Sequence, residues 1–248
     1  MANPPFNLKD WRASNELTDD PRWQGYDVPP ASNANYGWIL HMVSKLSENG
    51  VAAFILANGA TSGGGEEYKI RRKMIENDLV EAIITLPRDM FYTTDISVTL
   101  WIVNKNKKER VVKLNDATKN YRSRKGEILF MDLRSWGSEF EKKFIELTVE
   151  DIQKIAANHH NWQQTGWKET YKDIPEFCYS ANIDEIKEKD FSLVPSKYIP
   201  FVDQDSGIDF DTEMKRIQQE FSKLMSLETE SQQELIEAFR GLGYAVKA

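Results

Sequence analysis

Val51-Ala52-Ala53-Phe54-Ile55-Leu56-Ala57 is an apolar run with no polar interruption. A strand with one wet face alternates, whereas a short unbroken run of this kind marks a strand covered on both faces. Ahead of it, Tyr36, Ile39, Leu40, Val43 and Leu46 fall at helical spacing, with Asn35 as the expected N-cap and Gly50 as the stop. Behind it comes a Gly-rich loop over 58–65, then a predicted helix over 66–77. Strands are predicted over 79–86 and 97–104, flanking the loop Pro87-Arg88-Asp89-Met90-Phe91-Tyr92-Thr93-Thr94-Asp95, and a further strand over 128–133. The order helix, strand, helix, strand, strand predicts an α/β fold with a mostly parallel sheet.

Residues 7–34 are rich in Pro, Asp, Asn and Trp and lack a period, so they read as a long ordered loop. Past residue 145 the texture changes, with helices predicted over 148–158 and 183–190. The last forty residues carry Phe210, Met214, Ile217, Phe221, Leu224, Leu227, Leu235 and Phe239 in an otherwise polar sequence. That pattern fits one long amphipathic helix or a pair broken near 226–231, packing on its own domain or docking on a partner. The division expected is 1–145 and 146–248.

The single cysteine, Cys178, excludes an internal disulfide and reads as a buried structural thiol. No apolar run approaches the roughly 20 residues of a membrane span, and no cleavable signal opens the chain, so the expected location is cytoplasmic. The net charge of −7 does not favour unaided nucleic-acid binding. It is unevenly spread, however: residues 105–125 hold nine Lys and Arg against two acids. That segment is either a solvated loop or hairpin or a phosphate-contacting patch, and Lys107, Lys108, Arg122 and Arg124 are its candidates for the DNA backbone. His41 and the His159-His160 pair lack partners at metal-ligand spacing, so no metal site is expected.

Asn3-Pro4-Pro5-Phe6 carries the chemistry. Pro4 drives Asn3 toward extended backbone, and two prolines remove two N–H donors, so the turn presents acceptors. The Asn3 side-chain oxygen and the Pro4 carbonyl can each accept one hydrogen of an exocyclic amine, while Phe6 stacks on the ring that bears it. These four residues are the candidate catalytic set.

From Asn3 to about residue 200 the chain resembles the modification subunit of type I restriction–modification systems. The resemblance is carried by Asn3-Pro4-Pro5-Phe6-Asn7, Asp20-Pro21-Arg22-Trp23, and Pro29-Pro30 followed by Asn35-Tyr36-Gly37-Trp38-Ile39. It continues through Asn58-Gly59, Ile70-Arg71, Asn77-Asp78-Leu79-Val80-Glu81-Ala82, Leu86-Pro87 with Phe91-Tyr92, and Ile128-Leu129-Phe130-Met131-Asp132 with Phe177-Cys178. It implies a DNA adenine-N6 methyltransferase using S-adenosylmethionine, with a specificity subunit, a second modification subunit and a restriction subunit as partners. It also implies a Rossmann-like class I methyltransferase sheet, of which this chain holds the C-terminal half, followed by a mainly helical region. Phe91 or Tyr92 is then a second wall for a flipped adenine, and Trp23 and Tyr26 either line the same cleft or pin the loop.

The family's Gly-rich cofactor turn stands upstream of the Asn-Pro-Pro-Phe block, and Ser62-Gly63-Gly64-Gly65 does not replace it. Most of the S-adenosylmethionine site is accordingly expected upstream of Asn3, leaving the chain alone with weak or no cofactor binding and no activity. Two other functions compete. One is glutamine-N5 methylation of protein, which shares an Asn-Pro-Pro-aromatic turn. The other is a non-catalytic assembly module.

Overall fold

The run 51–57 forms a strand because neither of its faces meets water for long: Phe54 and Leu56 point into one apolar cluster, and Ile55 packs on another. In this computed structural model, residues 1–92, 94–114, 117–141, 143–202 and 209–244 are described. Thr93 of the loop 87–95 and residues 115–116 of the basic segment lie outside them.

The helices are α1 (Asn35–Ser44), α2 (Gly65–Glu76), α3 (Val149–Gln163), α4 (Ile183–Glu188) and α5 (Phe210–Gly241). A central sheet is built from β1 (Val51–Ala57), β2 (Val80–Thr85), β3 (Val98–Asn104), β6 (Glu127–Asp132) and β9 (Cys178–Asn182), in the order β1-β3-β2-β6-β9. Two hairpins stand outside it, β4 (Arg110–Leu114) with β5 (Ala117–Tyr121) and β7 (Ser138–Phe140) with β8 (Phe144–Glu146).

The sheet is mixed, which corrects the mostly parallel expectation. β3 is antiparallel to both β1 and β2, β9 is antiparallel to β6, and β2–β6 is the parallel pair among these strands. The reason is the connection between β2 and β3, which contains no helix. A parallel return is usually made through a crossover helix, and the twelve residues 86–97 supply none among those described, so the chain comes back antiparallel. β1, β2 and β6 nevertheless run in one direction, with β3 inserted between the first two. Their carboxyl ends, Ala57, Thr85 and Asp132, therefore share one edge.

The outer side of β1 meets the chain's first residues. Ala2 N–H donates to the Ala53 carbonyl (3.0 Å), and Ile55 N–H donates to the Ala2 carbonyl (3.2 Å), a parallel bridge. Pro4 and Pro5 have no N–H to continue such a ladder, so pairing stops there.

One face of the sheet is covered by α1 and α2, with Phe54 stacked on Trp101 at 6.0 Å and Tyr36 edge-on to Trp101 at 6.4 Å. The other is closed by Trp162 of α3 with Phe177 against Leu129 and Met131. Because Trp162 and β9 complete this core, the first compact unit runs Met1–Phe201 and the second Val202–Ala248. The boundary expected at 145 falls inside the first unit.

In the second unit α5 is continuous for 32 residues, without a break near 226–231. The Ser222, Ser226 and Thr229 hydroxyls donate to the carbonyls one turn back within it. None of its residues is buried. Among the described residues, no helix is long and apolar enough to cross a membrane.

Candidate substrate-binding site

The turn Asn3-Pro4-Pro5-Phe6 is held at both ends. Ala2 fixes its start to β1, and Asn7 fixes its end to α1. Asn7 has φ +51°, a left-handed backbone that Asn tolerates better than most residues. Its N–H donates to Asn35 Oδ1 (3.0 Å), and Asn35 Nδ2 donates back to Asn7 Oδ1 (2.8 Å). Ala34 N–H adds a bond to the Leu8 carbonyl at 2.9 Å. Asn35 is thus not the N-cap expected from its position. Ala34 occupies that place without a side-chain cap, and the buried Asn35 amide is spent on Asn7. Among the described residues, no hydrogen bond engages the Asn3 side chain or the Pro4 carbonyl. Both acceptors are available.

The loop between β2 and β3 meets this turn. Its base is tied by Arg88, which donates to the Asp95 carbonyl (3.0 Å) and its carboxylate (3.3 Å), and by Ser97 Oγ, which donates to the Leu86 carbonyl (2.6 Å). Phe91 is half-buried and meets Phe6 edge-to-face, with centroids 6.3 Å apart and planes at 82°. Phe6 and Phe91 are therefore brought together. Tyr92 is 74% exposed and leans on Phe144 of β8 instead.

Trp23 and Tyr26 do not join them. Trp23 is buried, donates to the Leu17 carbonyl (2.7 Å), and lies edge-on to Trp11 and beneath the Arg22 guanidinium at 4.8 Å. Arg22 in turn clasps Asp20 at 2.6 Å, and its hydrogen bonds hold that carboxyl down to about 2. The Asp-Pro-Arg-Trp block is the pin of the long loop. Tyr26 accepts from Asn77 Nδ2 and lines a cleft of about 690 Å³ with Asn49, Lys105 and Lys108. Those neighbours flank the amino end of β1, whereas the chain from Ala2 heads toward its carboxyl end.

The basic candidates are corrected as well. Lys107 is buried, and its ammonium spends three donors on Asp78 (2.6 Å), the Val80 carbonyl (3.0 Å) and the Glu127 carbonyl (2.6 Å). Arg124 is fully buried and pairs with the equally buried Glu81 at 3.1 Å. Glu81 sits where the β2–β3 register shifts, and it also accepts from Asn104 and from Gln163 Nε2 (2.7 Å). Burial pulls both the Lys107 and the Arg124 pKa down, against the opposing pull of Asp78 and Glu81. Arg122 makes a two-pronged pair with Glu127 at 2.7 and 3.0 Å. Lys108 alone of the four is exposed and unengaged by a carboxylate among the described residues, and it lies beside Tyr26. The segment 105–125 contains the antiparallel pair β4–β5, and all four of these residues lie outside its two strands.

The shared carboxyl edge carries a cleft of about 250 Å³ lined by Asn58, Thr61, Thr85, Thr99, Asp132 and Arg134. Arg134 grips Asp132 through both carboxylate oxygens, at 2.6 and 2.9 Å. In the sequence Asp132 closes the block Ile128–Asp132 that carries the resemblance, while Arg134 did not stand out. Ligands of α/β sheets gather at such an edge.

In the Gly-rich turn at 62–65, a Cβ on Gly63 would stand 1.8 Å from Glu67 Oε2 and Arg71 holds the Gly63 carbonyl at 2.7 Å, whereas the space at Gly64 and Gly65 is open. Burial raises the Glu67 pKa. Cys178 is buried, and no group of three or more His, Cys, Asp and Glu able to hold a metal occurs among the described residues.

The profile of the N-6 DNA Methylase family matches residues 1–206. The methylase subunit of the type I restriction enzyme HindI, from Haemophilus influenzae, is 39% identical over 98% of this chain and 51% of its own length. The MjaIX methylase subunit of Methanocaldococcus jannaschii is 34% identical over 98% of this chain and 42% of its own length. The chain thus spans about half the length of the curated relatives it matches. Among solved structures, a type I restriction-modification methyltransferase subunit from Streptococcus thermophilus superposes with a TM-score of 0.66 at 28% identity, over 81% of this chain and 37% of that one.

Proposed function

The chain belongs to the N-6 DNA methylase family, and from that premise we propose that it supplies the base-holding side of a type I DNA adenine-N6 methyltransferase. One observation carries the reading: the two unengaged acceptors of Asn3 and Pro4 stand on a turn pinned to β1 and α1, beside the Phe6–Phe91 ring pair. An adenine amine is a poor nucleophile because its lone pair is delocalised into the ring. Fixed acceptors on its two hydrogens, placed off the ring plane, favour a pyramidal nitrogen and return that lone pair for attack on a methyl group. This is electrostatic preorganisation, and it requires no acid or base of tuned pKa. The adenine has to leave the duplex to reach the turn, and Phe6, with Phe91 behind it, offers the stacking face that replaces its neighbours.

The methyl donor in this reading is S-adenosylmethionine. We assign its binding site chiefly to the part of the relatives' length that this chain does not span. Titration of the isolated chain is then expected to yield no micromolar affinity for the donor, and no methyl transfer. The relatives are named as methylase subunits of type I restriction enzymes, and the partners proposed with them are DNA, a specificity subunit, a second modification subunit and a restriction subunit.

The test is product analysis. A full-length methylase containing this sequence, with its specificity subunit, is incubated with duplex DNA and labelled donor, and the DNA is digested to nucleosides. N6-methyl-2′-deoxyadenosine is the expected labelled product. Label in methylated cytosine, or only in a protein glutamine, would overturn the reading.

A further inference from the structure

The hairpin β7–β8 serves neither core nor sheet. All three residues of β7 are exposed, and Phe140 leaves 42% of its surface in water. Yet its shape is closely specified. Gly137 has φ +87°, and a Cβ there would stand 2.7 Å from Ile145 and 2.8 Å from the Glu146 carbonyl, so only glycine lets the two strands meet.

The hairpin's contacts point at the loop between β2 and β3. Ile145 N–H donates to the Asp89 carbonyl at 3.0 Å, and Asp89 itself holds a left-handed φ of +58°. Three residues further on, the Tyr92 ring meets the Phe144 ring edge-on at 4.7 Å. Between them lies a cavity of about 500 Å³ lined by Met90, Tyr92, Phe140, Phe144, Ile145 and Leu147. Among the described residues, the loop's other internal ties are at its base, at Arg88, Asp95 and Ser97, and across its tip, where Thr94 N–H donates to the Phe91 carbonyl at 3.4 Å. Its aromatic tip is thus gripped from inside by Phe6 on Phe91 and from outside by Phe144 on Tyr92.

We propose that the β7–β8 hairpin is a brace for the aromatic tip, and that Phe144 is a positioning residue which sets, through Tyr92, where Phe91 and Phe6 receive the base. The inference rests on the adenine-holding reading of the 3–6 turn. Phe144 does not touch the reacting atoms. It acts by restricting the loop, and small misplacements of a positioning group are costly in rate.

The test uses the full-length methylase with its specificity subunit and a duplex carrying 2-aminopurine at the target adenine. Wild type, Asn3→Ala, Phe144→Ala, Phe144→Leu and Phe144→Tyr are compared for thermal midpoint, DNA affinity, 2-aminopurine emission in the complex, and single-turnover methyl transfer to the unsubstituted duplex. Phe144→Ala and Phe144→Leu are expected to lose on the order of 10- to 100-fold in transfer rate and to change the emission of the withdrawn base, while DNA affinity stays within about threefold. Phe144→Tyr, which keeps the ring edge, is expected to restore both signals. Should Phe144→Ala fail to fold, the Leu and Tyr variants decide alone. Rates within about twofold of wild type in Phe144→Leu would overturn the brace, as would a loss that Tyr does not rescue. If Asn3→Ala retains full rate, the base-holding reading fails first. If Asn3→Ala is inactive and Phe144→Leu is not impaired, only the brace fails.

Discussion

Asn7 and Asn35, 28 positions apart in the chain, exchange two hydrogen bonds, backbone N–H to Oδ1 at 3.0 Å and Nδ2 to Oδ1 at 2.8 Å. The exchange fastens the exit of the Asn-Pro-Pro-Phe turn to the first residue of a buried helix. Replacing Asn35 by Ala strips Asn7 of both partners. The expected cost is about 1–3 kcal/mol of stability, the range for leaving such groups unpaired. The transfer rate should fall by at least about tenfold, because the turn loses its anchor. Urea denaturation and single-turnover assays on the same preparation check both, and a stability loss with an unchanged rate would show that the clamp does not position the turn.

The second prediction concerns the buried pair. Arg124→Ala leaves Glu81 uncompensated inside the protein and should cost about 3–5 kcal/mol, whereas Lys108→Ala should change stability by less than about 0.5 kcal/mol. Joint replacement, Glu81→Leu with Arg124→Met, removes both charges and is expected to fold better than Arg124→Ala. In that double variant the salt dependence of DNA binding should match wild type. A slope shallower by about one unit would instead mean that Arg124 neutralises a phosphate.

His159 supplies a pH signature. Its ring Nε2 is buried without a hydrogen-bond partner, and burial holds the imidazole down from 6.5 to about 4. The unfolded chain takes up that proton below about 6.5 while the folded one resists, so stability is complete above that pH and declines as pH falls toward about 4. The decline amounts to up to roughly 3 kcal/mol. Urea midpoints at pH 7 and pH 5 should therefore diverge in wild type more than in His159→Phe. Equal divergence in the two would assign the acid sensitivity elsewhere.

Gly37 lies under the Trp11 indole, where a Cβ would stand 3.0 Å from the ring. The same indole donates to the Pro30 carbonyl at 2.8 Å, so it has little room to retreat. Gly37→Val should overpack this contact and cost about 1–3 kcal/mol, with a changed tryptophan emission. An unaltered spectrum and midpoint would mean the long loop is not packed on α1 as described.

Much of the fold was legible in the sequence because it is written in apolar runs. The strand at 51–57 is unbroken, those at 80–85, 98–104 and 127–132 are mainly apolar with single polar residues such as Glu81 and Thr99, and the helices between them follow from spacing. β9 was not legible, because Cys178-Tyr179-Ser180-Ala181-Asn182 is short, mixed in polarity and placed at a sheet edge. Strand direction was misjudged for β3 since direction depends on whether the connection forms a crossover helix and not on the strand's composition. At the candidate site, the meeting of Phe6 with Phe91 was foreseeable from the resemblance alone. The fates of Lys107 and Arg124 were not, because their partners Asp78 and Glu81 lie 29 and 43 residues away. A basic segment looks alike whether its charges face solvent or each find an acid inside. Trp23 was open to two readings, and only its burial separates a pin from a platform.

The central claim is that Asn3 holds the amine, and single-turnover methyl transfer by the Asn3→Ala full-length methylase, assembled with its specificity subunit on a saturating duplex, tests it most directly. The account predicts a loss on the order of 10²-fold or more in rate, with DNA affinity close to wild type, because an acceptor used in the transition state has been removed. A variant that transfers methyl groups at the wild-type rate would contradict it.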